Sequence, residues 1–299
     1  MRNRVEAGVV NFKNQSGMEA YKKLVESVLE NGVWKSNRTG IDTISSFSEF
    51  YKVDLEQGFP LLTTKKVNFR SVILELLWYL RGEDHIRWLR DINDCHIWDA
   101  WADQDGYVGP IYPVLWRRFP YFEEDEVSFE GIAGNIKRSC MVKKEYDQIK
   151  KAIHLLKTDP NSRRIVVSAW HPGLLGQQAL PPCHVMYIFN VTDGRLNCHL
   201  TQRSGDIALG IPFNLACYSA LTMAIAQITG HKPGVFAHTI VDAHIYENHV
   251  EGLQEQISRE PYPLPKLEIE DKPLDALTLD DFNLIDYEHH PPIKFEVAV

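Results

Sequence analysis

The 299-residue chain has few of the features that would mark it as secreted, membrane-spanning or held to nucleic acid by bulk charge. Its five cysteines, at positions 95, 140, 183, 198 and 217, are odd in number and show no CxxC spacing. That argues against a disulfide framework and against a zinc site, and fits a reducing cytosol best. The N-terminus carries no apolar core of signal-peptide length. The longest apolar candidate, residues 215–228, is interrupted by Ser219, Thr222 and Gln227 and falls short of a membrane span. Positive charge is also scarce, with a net charge of −8 and a pI near 5.8. A nucleic-acid partner that relies on overall charge is therefore excluded, whereas a small arginine cluster gripping one phosphate is not. Internal repeats and low-complexity tracts are absent. The expectation is a soluble, cytoplasmic protein without a metal, and its 44% apolar content is enough for a large core in one or two domains.

The richest stretch is residues 180–214, LPPCHVMYIFNVTDGRLNCHLTQRSGDIALGIPFN. Pro181 and Pro182 fix φ near −65° and remove two backbone donors, so Cys183 sits on a stiff, non-helical approach. Residues 184–191 are rich in β-branched and aromatic side chains and predict a strand. Thr192-Asp193-Gly194 predicts a hairpin turn, and residues 196–202 return in alternation, with Leu196, Cys198 and Leu200 on one face. Gln202, Arg203, Ser204 and Asp206 follow at once, then Gly210-Ile211-Pro212-Phe213-Asn214. A hairpin of this kind brings a thiol and a cluster of Arg, Ser, Asp and Asn to one region, as a site with a nucleophile and an anion clamp requires.

Elsewhere, residues 1–15 read as a loose arm, and Ser16-Gly17-Met18-Glu19 as a capping box opening a helix that stops at Asn31-Gly32. Asn37-Arg38-Thr39-Gly40 is a polar turn in which Arg38, taken alone, is a solvated cation; strand-like segments cover 44–50 and 51–55. Residues 69–80, FRSVILELLWYL, predict a helix apolar on nearly every side with Glu75 in its middle. A carboxylate there is expensive, so it is either half of a buried structural pair or an acid/base group with a raised pKa. His96 to Trp101 sets two tryptophans around Asp99, and Gly109 to Pro113 is a turn carrying Tyr112. Residues 122–144, acidic and then basic, show few periodic apolar positions and read as an insertion near 120–145 of uncertain order. A helix over 146–157 is broken by Asp159-Pro160-Asn161 before Arg163 and Arg164, which enter a strand over 165–170 as either an edge guard or a phosphate clamp. Beyond the hairpin, a core helix over 215–228 ends at Gly230, a strand covers 236–241, a helix starts at Asp242 and runs to about 258, and the proline-rich tail from Pro261 is extended. Strands and helices mixed without strict alternation predict the α+β class.

With Cys183, the arginine pair, Glu75 and Pro212-Phe213-Asn214 in view, the chain resembles the thymidylate synthase family from about Met18 to Val299. The likeness rests on NRTG, FPLLTTKK, ELLWYL, IWDAWAD, DPNSRRIVVSAW, LPPCH, QRSGD, LGIPFN, DAHIYENH and the terminal VAV. It implies a single domain over 1–299, a large mixed β-sheet flanked by helices, and a homodimer formed by sheet-on-sheet packing. It further implies transfer of a one-carbon unit from 5,10-methylenetetrahydrofolate to C5 of a pyrimidine nucleotide monophosphate, dUMP. Uracil is a poor nucleophile at C5 until a soft thiolate adds at C6, and Cys183 would supply it, with Arg203 favouring its ionised form. His184 would join Cys183 among the catalytic residues. Arg38, Arg203 and Ser204 would hold the phosphate, joined by Arg163 and Arg164 from the partner subunit, with Gln202 beside them. Asn214 would read the N3–H and O4 edge of uracil, and His244 and Tyr246 would reach the sugar hydroxyl. Tyr112 and Asp206 would share a water and proton-transfer network with Glu75. For the folate, the resemblance points to Lys65, Ile97, Trp98, Trp101, Leu180, Asp206, Gly210, Phe213 and the carboxylate of Val299.

The chain departs from the family pattern around Tyr112, where Pro113 stands for Gly and Leu115 for Gln. His171 replaces the Asn usual after the SAW strand, Val241 replaces Gly before Asp242, Asn68 stands where several relatives carry His, and Ile188 to Val191 departs from the usual QFxV. These changes line the wall and water network of the site and leave a second enzyme open. A pyrimidine nucleotide hydroxymethylase shares the cysteine and the first half of the mechanism, and then adds water to the exocyclic methylene where a synthase adds hydride.

Overall fold

The computed structural model describes residues 16–131 and 134–297, so the N-terminal arm expected over 1–15 and the Val299 carboxylate lie outside the described residues. Six strands form the main sheet in the order β1-β2-β8-β7-β6-β5. These are β1 (Val33–Lys35), β2 (Thr43–Asp54), β5 (Val166–Ser168), β6 (His184–Thr192), β7 (Arg195–Asp206) and β8 (Lys232–Tyr246). Only the central β7·β8 pair is parallel; the other pairs are antiparallel. The sheet is therefore mixed and the class α+β, as the composition of elements predicted.

The parallel pair needs a crossover, and α5 (Gly210–Thr229) provides it. This helix packs on β7 and β8 on one side and on α2 (Phe69–Arg81) and α4 (Gln148–Thr158) on others. It begins five residues earlier than the apolar run suggested, because Gly210 to Asn214 is already helical. By length and composition α5 reaches what a membrane span needs, contrary to the sequence expectation, yet 78% of the qualifying window is buried inside the protein. It is the central core helix. Gly230 takes φ 76° and ends it.

The capping chemistry is local and legible. The Ser16 side chain accepts from the Glu19 N–H to start α1 (Gly17–Asn31), and Asp147 does the same for α4 through Lys150 N–H. Asn68, one of the departures noted above, accepts from Ser71 N–H as the N-cap of α2. Asp193 and Gly194, at φ 54° and 70°, form the tight turn between β6 and β7.

Three expectations are corrected. Residues 122–144 are not irregular: β3 (Phe119–Gly131) and β4 (Gly134–Tyr146) pair antiparallel as a separate ribbon. Their acidic and basic runs face each other across it, with Lys144 bridging Glu123 and Asp125, and Lys137 meeting Glu126. Residues 242–246 do not start a helix but complete β8; Ala243 and Ile245 point into the core with the period of two that a strand demands. The helix begins only at α6 (Val250–Ser258). Tyr112 does not sit in a turn but opens a short helix, α3 (Tyr112–Arg117), with Pro113 in its first turn, where a missing N–H costs nothing. In the tail, β9 (Lys266–Ile269) and β10 (Phe282–Ile285) form a further two-stranded sheet.

Gly109 precedes α3 at φ 77°, and a Cβ there would lie 2.0 Å from the Gln177 carbonyl oxygen. Both the backbone angle and the contact demand glycine. Gly109→Ala is therefore expected to cost roughly 3 kcal/mol or more of stability, read as a lowered midpoint in urea unfolding; an unchanged midpoint refutes the constraint.

Candidate active site

Cys183 stands at the mouth of β6, partly buried. Its backbone N–H donates to the Tyr112 hydroxyl at 2.7 Å, and the His184 N–H reaches the same oxygen at 3.4 Å. From the neighbouring strand, Arg203 N–H donates to the Cys183 carbonyl at 2.9 Å. The Arg203 guanidinium donates to the carbonyls of Pro182 and Pro181 at 3.0 and 2.7 Å. The two prolines supply acceptors and no donors, so the arginine of β7 fixes the approach to the thiol. Burial pushes the Cys183 thiol up from its ordinary value; the Arg203 charge opposes this most, followed by the Tyr112 hydroxyl and the Arg38 charge. Arg203 does favour the thiolate, as the sequence suggested, but desolvation outweighs it in this ligand-free arrangement.

His184 is fully enclosed, its ring 4.7 Å from that of Tyr112 and 5.2 Å from that of Tyr218. Burial drives its pKa down to about 4, against the Asn214 amide facing it, so the imidazole is neutral near pH 7. His184 Nδ1 and Asn214 Oδ1 are both buried without a hydrogen-bond partner among the described residues. Orphaned polar atoms of this kind mark where an external polar group belongs.

Glu75 lies inside α2, 7% exposed. The Trp98 indole N–H donates to its Oε1 at 2.8 Å. Burial pushes the carboxyl up to about 7, while Trp98 and Tyr79 hold it down. No basic partner is involved; of the two sequence readings, the group with a raised pKa fits and the buried ion pair does not. Trp101 packs edge-on against Trp98, and Ile97, Trp101, Leu180 and Phe213 lie partly open against the core. Of these, Trp98 and Trp101 are in direct ring contact, 5.5 Å between centroids.

The strand register assembles a polar side. Ser204 lies beside Asp242, and Asp206 beside His244, across the parallel β7·β8 pair. Asp206 Oδ1 accepts from the N–H groups of Ala208 and Leu209, and Gly210 lies next to both Asp206 and Asn214. Tyr246 feels the charges of Asp206 and Arg38 and the nearby Cys183, and touches Thr39. Lys65 is buried with its ammonium on the Ala208 carbonyl at 2.7 Å and over the Phe295 ring; burial lowers it to about 8, against the pull of Asp206. The Gln202 amide donates to the Ser204 carbonyl and accepts from His238, which also bonds Tyr51. Arg163 and Arg164 do not join this cluster in one chain. Both are exposed, with no hydrogen-bond or ion-pair partner among the described residues, and Arg164 lines a separate cavity of about 320 Å³ beside α4.

A family model for thymidylate synthase matches residues 19–299. The chain belongs to the thymidylate synthase family. It is accordingly a transferase that moves a one-carbon unit to a pyrimidine nucleotide, and the family binds dUMP and uses methylenetetrahydrofolate as co-substrate. Sequence reasoning overlooked two residues close to this site. His249 is fully buried, its Nε2–H donating to the Glu296 carbonyl and its Nδ1 3.8 Å from Asp206, so it ties the tail to the polar side. Tyr79 contacts Glu75 from one helical turn along α2. Its signal was its spacing of four from Glu75 within ELLWYL.

Two outcomes follow from the electrostatics. Because the folded pKa of Glu75 is raised from 4.5 to about 7, its favourable linkage is complete below about pH 4 and lost as pH climbs through 7. Glu75→Gln should therefore gain about 3 kcal/mol relative to the parent at pH 8 compared with pH 4.5, measured by urea unfolding at both pH values; an equal difference at both refutes it. Arg203→Ala should slow iodoacetamide alkylation of Cys183 at pH 8 by roughly tenfold, with Arg203→Lys restoring much of the rate. An unchanged rate in the alanine variant would show that the charge does not act on the thiol.

Proposed function

We propose that this enzyme is a thymidylate synthase acting on dUMP, methylating C5 and releasing dTMP and dihydrofolate. The observation that carries the choice of a synthase is the intact seat of Tyr112. Pro113 costs no hydrogen bond in the first turn of α3, Leu115 is fully buried, and the Tyr112 hydroxyl still receives the Cys183 N–H at 2.7 Å. Two of the departures that left hydroxymethylation open, Pro113 and Leu115, are thus compatible with the Tyr112–Cys183 bond, which supports the synthase reading.

The chemistry assigned to the residues runs as follows from their positions. Cys183 Sγ, as thiolate, adds to C6 of the uracil, and the pyrimidine carries the charge on C5 and O4. Asn214, with its buried unpaired Oδ1, accepts from N3–H and its amide N–H₂ donates to O4, while neutral His184 lines the same wall. Arg38, Arg203 and Ser204 hold the phosphate; Arg203 serves the thiolate as well. His244 and Tyr246 meet the sugar. Glu75, poised near neutrality inside an apolar helix, exchanges protons with the reacting pyrimidine through ordered water. The open wall of Ile97, Trp101, Leu180 and Phe213 fits the folate ring, with Lys65 and Asp206 at its polar end. The folate supplies the one-carbon unit and, in a synthase, the hydride.

The second subunit completes this reading. The sheet face away from α5 leaves Phe47 85% exposed, with Phe50 and Val166 also open. A second copy covering that face would bury them and bring Arg163 and Arg164, unpartnered in one chain, to the neighbouring phosphate. The five unpaired cysteines suit a cytoplasmic enzyme.

Turnover with dUMP and methylenetetrahydrofolate tests the reaction, following dihydrofolate absorbance together with product mass. Dihydrofolate and a methylated nucleotide are expected, with Cys183→Ser reducing turnover by roughly 10³-fold or more. A hydroxymethylated product without dihydrofolate overturns the synthase reading. Asn214→Asp should shift preference towards the cytosine nucleotide, since a carboxylate accepts from its amino group; an unchanged cytosine-to-uracil turnover ratio would remove Asn214 as the base reader.

A further inference from the structure

Glu75 and Tyr79 are four residues apart on α2, hence on one face of the helix, and both are buried. Tyr79 has no freedom to leave. Its ring is wedged against Trp78 at 5.5 Å, Tyr112 at 5.1 Å and Trp116 at 5.1 Å. Trp98 already donates to Oε1 of Glu75, and a carboxylate accepts more than one such bond. Among the described residues, no basic group acts on Glu75. The titratable groups facing Glu75 are Cys95 from the segment before Trp98, Cys217 from α5 and Tyr79 from its own helix; Tyr112 of α3 and Tyr218 of α5 face Tyr79 in turn. Burial keeps these thiols and phenols in their neutral forms at neutral pH. An ionised Glu75 is therefore supported only by neutral donors, and each one matters.

We propose that Tyr79 is a positioning residue for Glu75: its hydroxyl donates to the carboxylate, holds it beside Trp98 and favours its ionised form. The ring of Tyr79 also rests on Tyr112, whose hydroxyl takes the Cys183 N–H, so one aromatic contact links the seat of the proton-transfer group to the seat of the nucleophile. The catalytic consequence rests on the role given to Glu75 above; the hydrogen bond itself does not.

The test is a carboxyl titration by ¹³C NMR on the full chain labelled at glutamate, with the Glu75 signal assigned by its loss in Glu75→Gln. In Tyr79→Phe the Glu75 midpoint should rise by about one pH unit, and in Tyr218→Phe it should stay in place. Incorporation of 3-fluorotyrosine at position 79, a stronger donor of nearly the same size, should lower the midpoint and keeps the test open should the phenylalanine variant fail to fold. An unmoved midpoint in Tyr79→Phe, or an equal rise in Tyr218→Phe, overturns the proposal. The pH dependence of kcat for tritium release from C5-labelled dUMP is read alongside, with the limb governed by Glu75 moving with the midpoint and KM changing little. A midpoint that moves while the rate profile stays put upholds the Tyr79 bond and overturns instead the role given to Glu75.

Discussion

The Tyr112 hydroxyl, accepting the backbone N–H groups of Cys183 and His184, is the interaction on which the rest of the site depends. It joins a short helix to the first residues of a strand, at a point where two prolines have left the backbone without donors of its own. Arg203 completes the arrangement from the other side by bonding three successive carbonyls, those of Pro181, Pro182 and Cys183. Cys183 is thus held through its main chain from both sides. Geometry is fixed first, and electrostatics are tuned on top of it.

That tuning runs in opposite directions within a small volume. Burial raises the thiol of Cys183 and the carboxyl of Glu75, and lowers the imidazole of His184 and the ammonium of Lys65. In each case the neutral form is favoured, as expected of groups removed from water before their charged partners arrive. A phosphate, a uracil edge and a folate would supply those partners. At neutral pH His184, at about 4, is neutral, Glu75, at about 7, sits between its two forms, and Lys65, at about 8, keeps its charge.

Much of this was legible in the sequence. The 69–80 helix, the β6–β7 hairpin and the Ser16 cap follow from periodicity and capping rules with short reach. Glu75 stood out because one carboxylate in an apolar helix has no local partner. What failed had physical causes. Residues 242–246 are not a helix start, because Ala243 and Ile245 alternate into the core as a strand requires. Residues 122–144 lack apolar periodicity because a ribbon with both faces largely exposed is held by cross-strand charge pairs, which a one-dimensional pattern does not display. The partners of the Gln202 amide, His238 and through it Tyr51, come from other strands and leave no mark in the local pattern. Tyr79 reads as one more aromatic core residue, since spacing alone does not show what its hydroxyl faces.

The order of the main sheet has a consequence for how the chain reaches its native state. The parallel strands β7 and β8 can pair only after α5 has crossed between them, and β2 then pairs with β8 along its length, placing Thr43 opposite Tyr246. Strands roughly 180 to 200 residues apart in sequence, with Thr43 and Tyr246 at one end of the pairing and Asp54 and Val235 at the other, therefore close the sheet by a long-range encounter, slow by the standards of local hairpins. Until that encounter, Arg38 and Thr39 on one side and His244 and Tyr246 on the other are distant in space. During synthesis, this polar corner comes together only after β8 emerges, so the growing chain carries Cys183 well before it carries the neighbours that complete its surroundings.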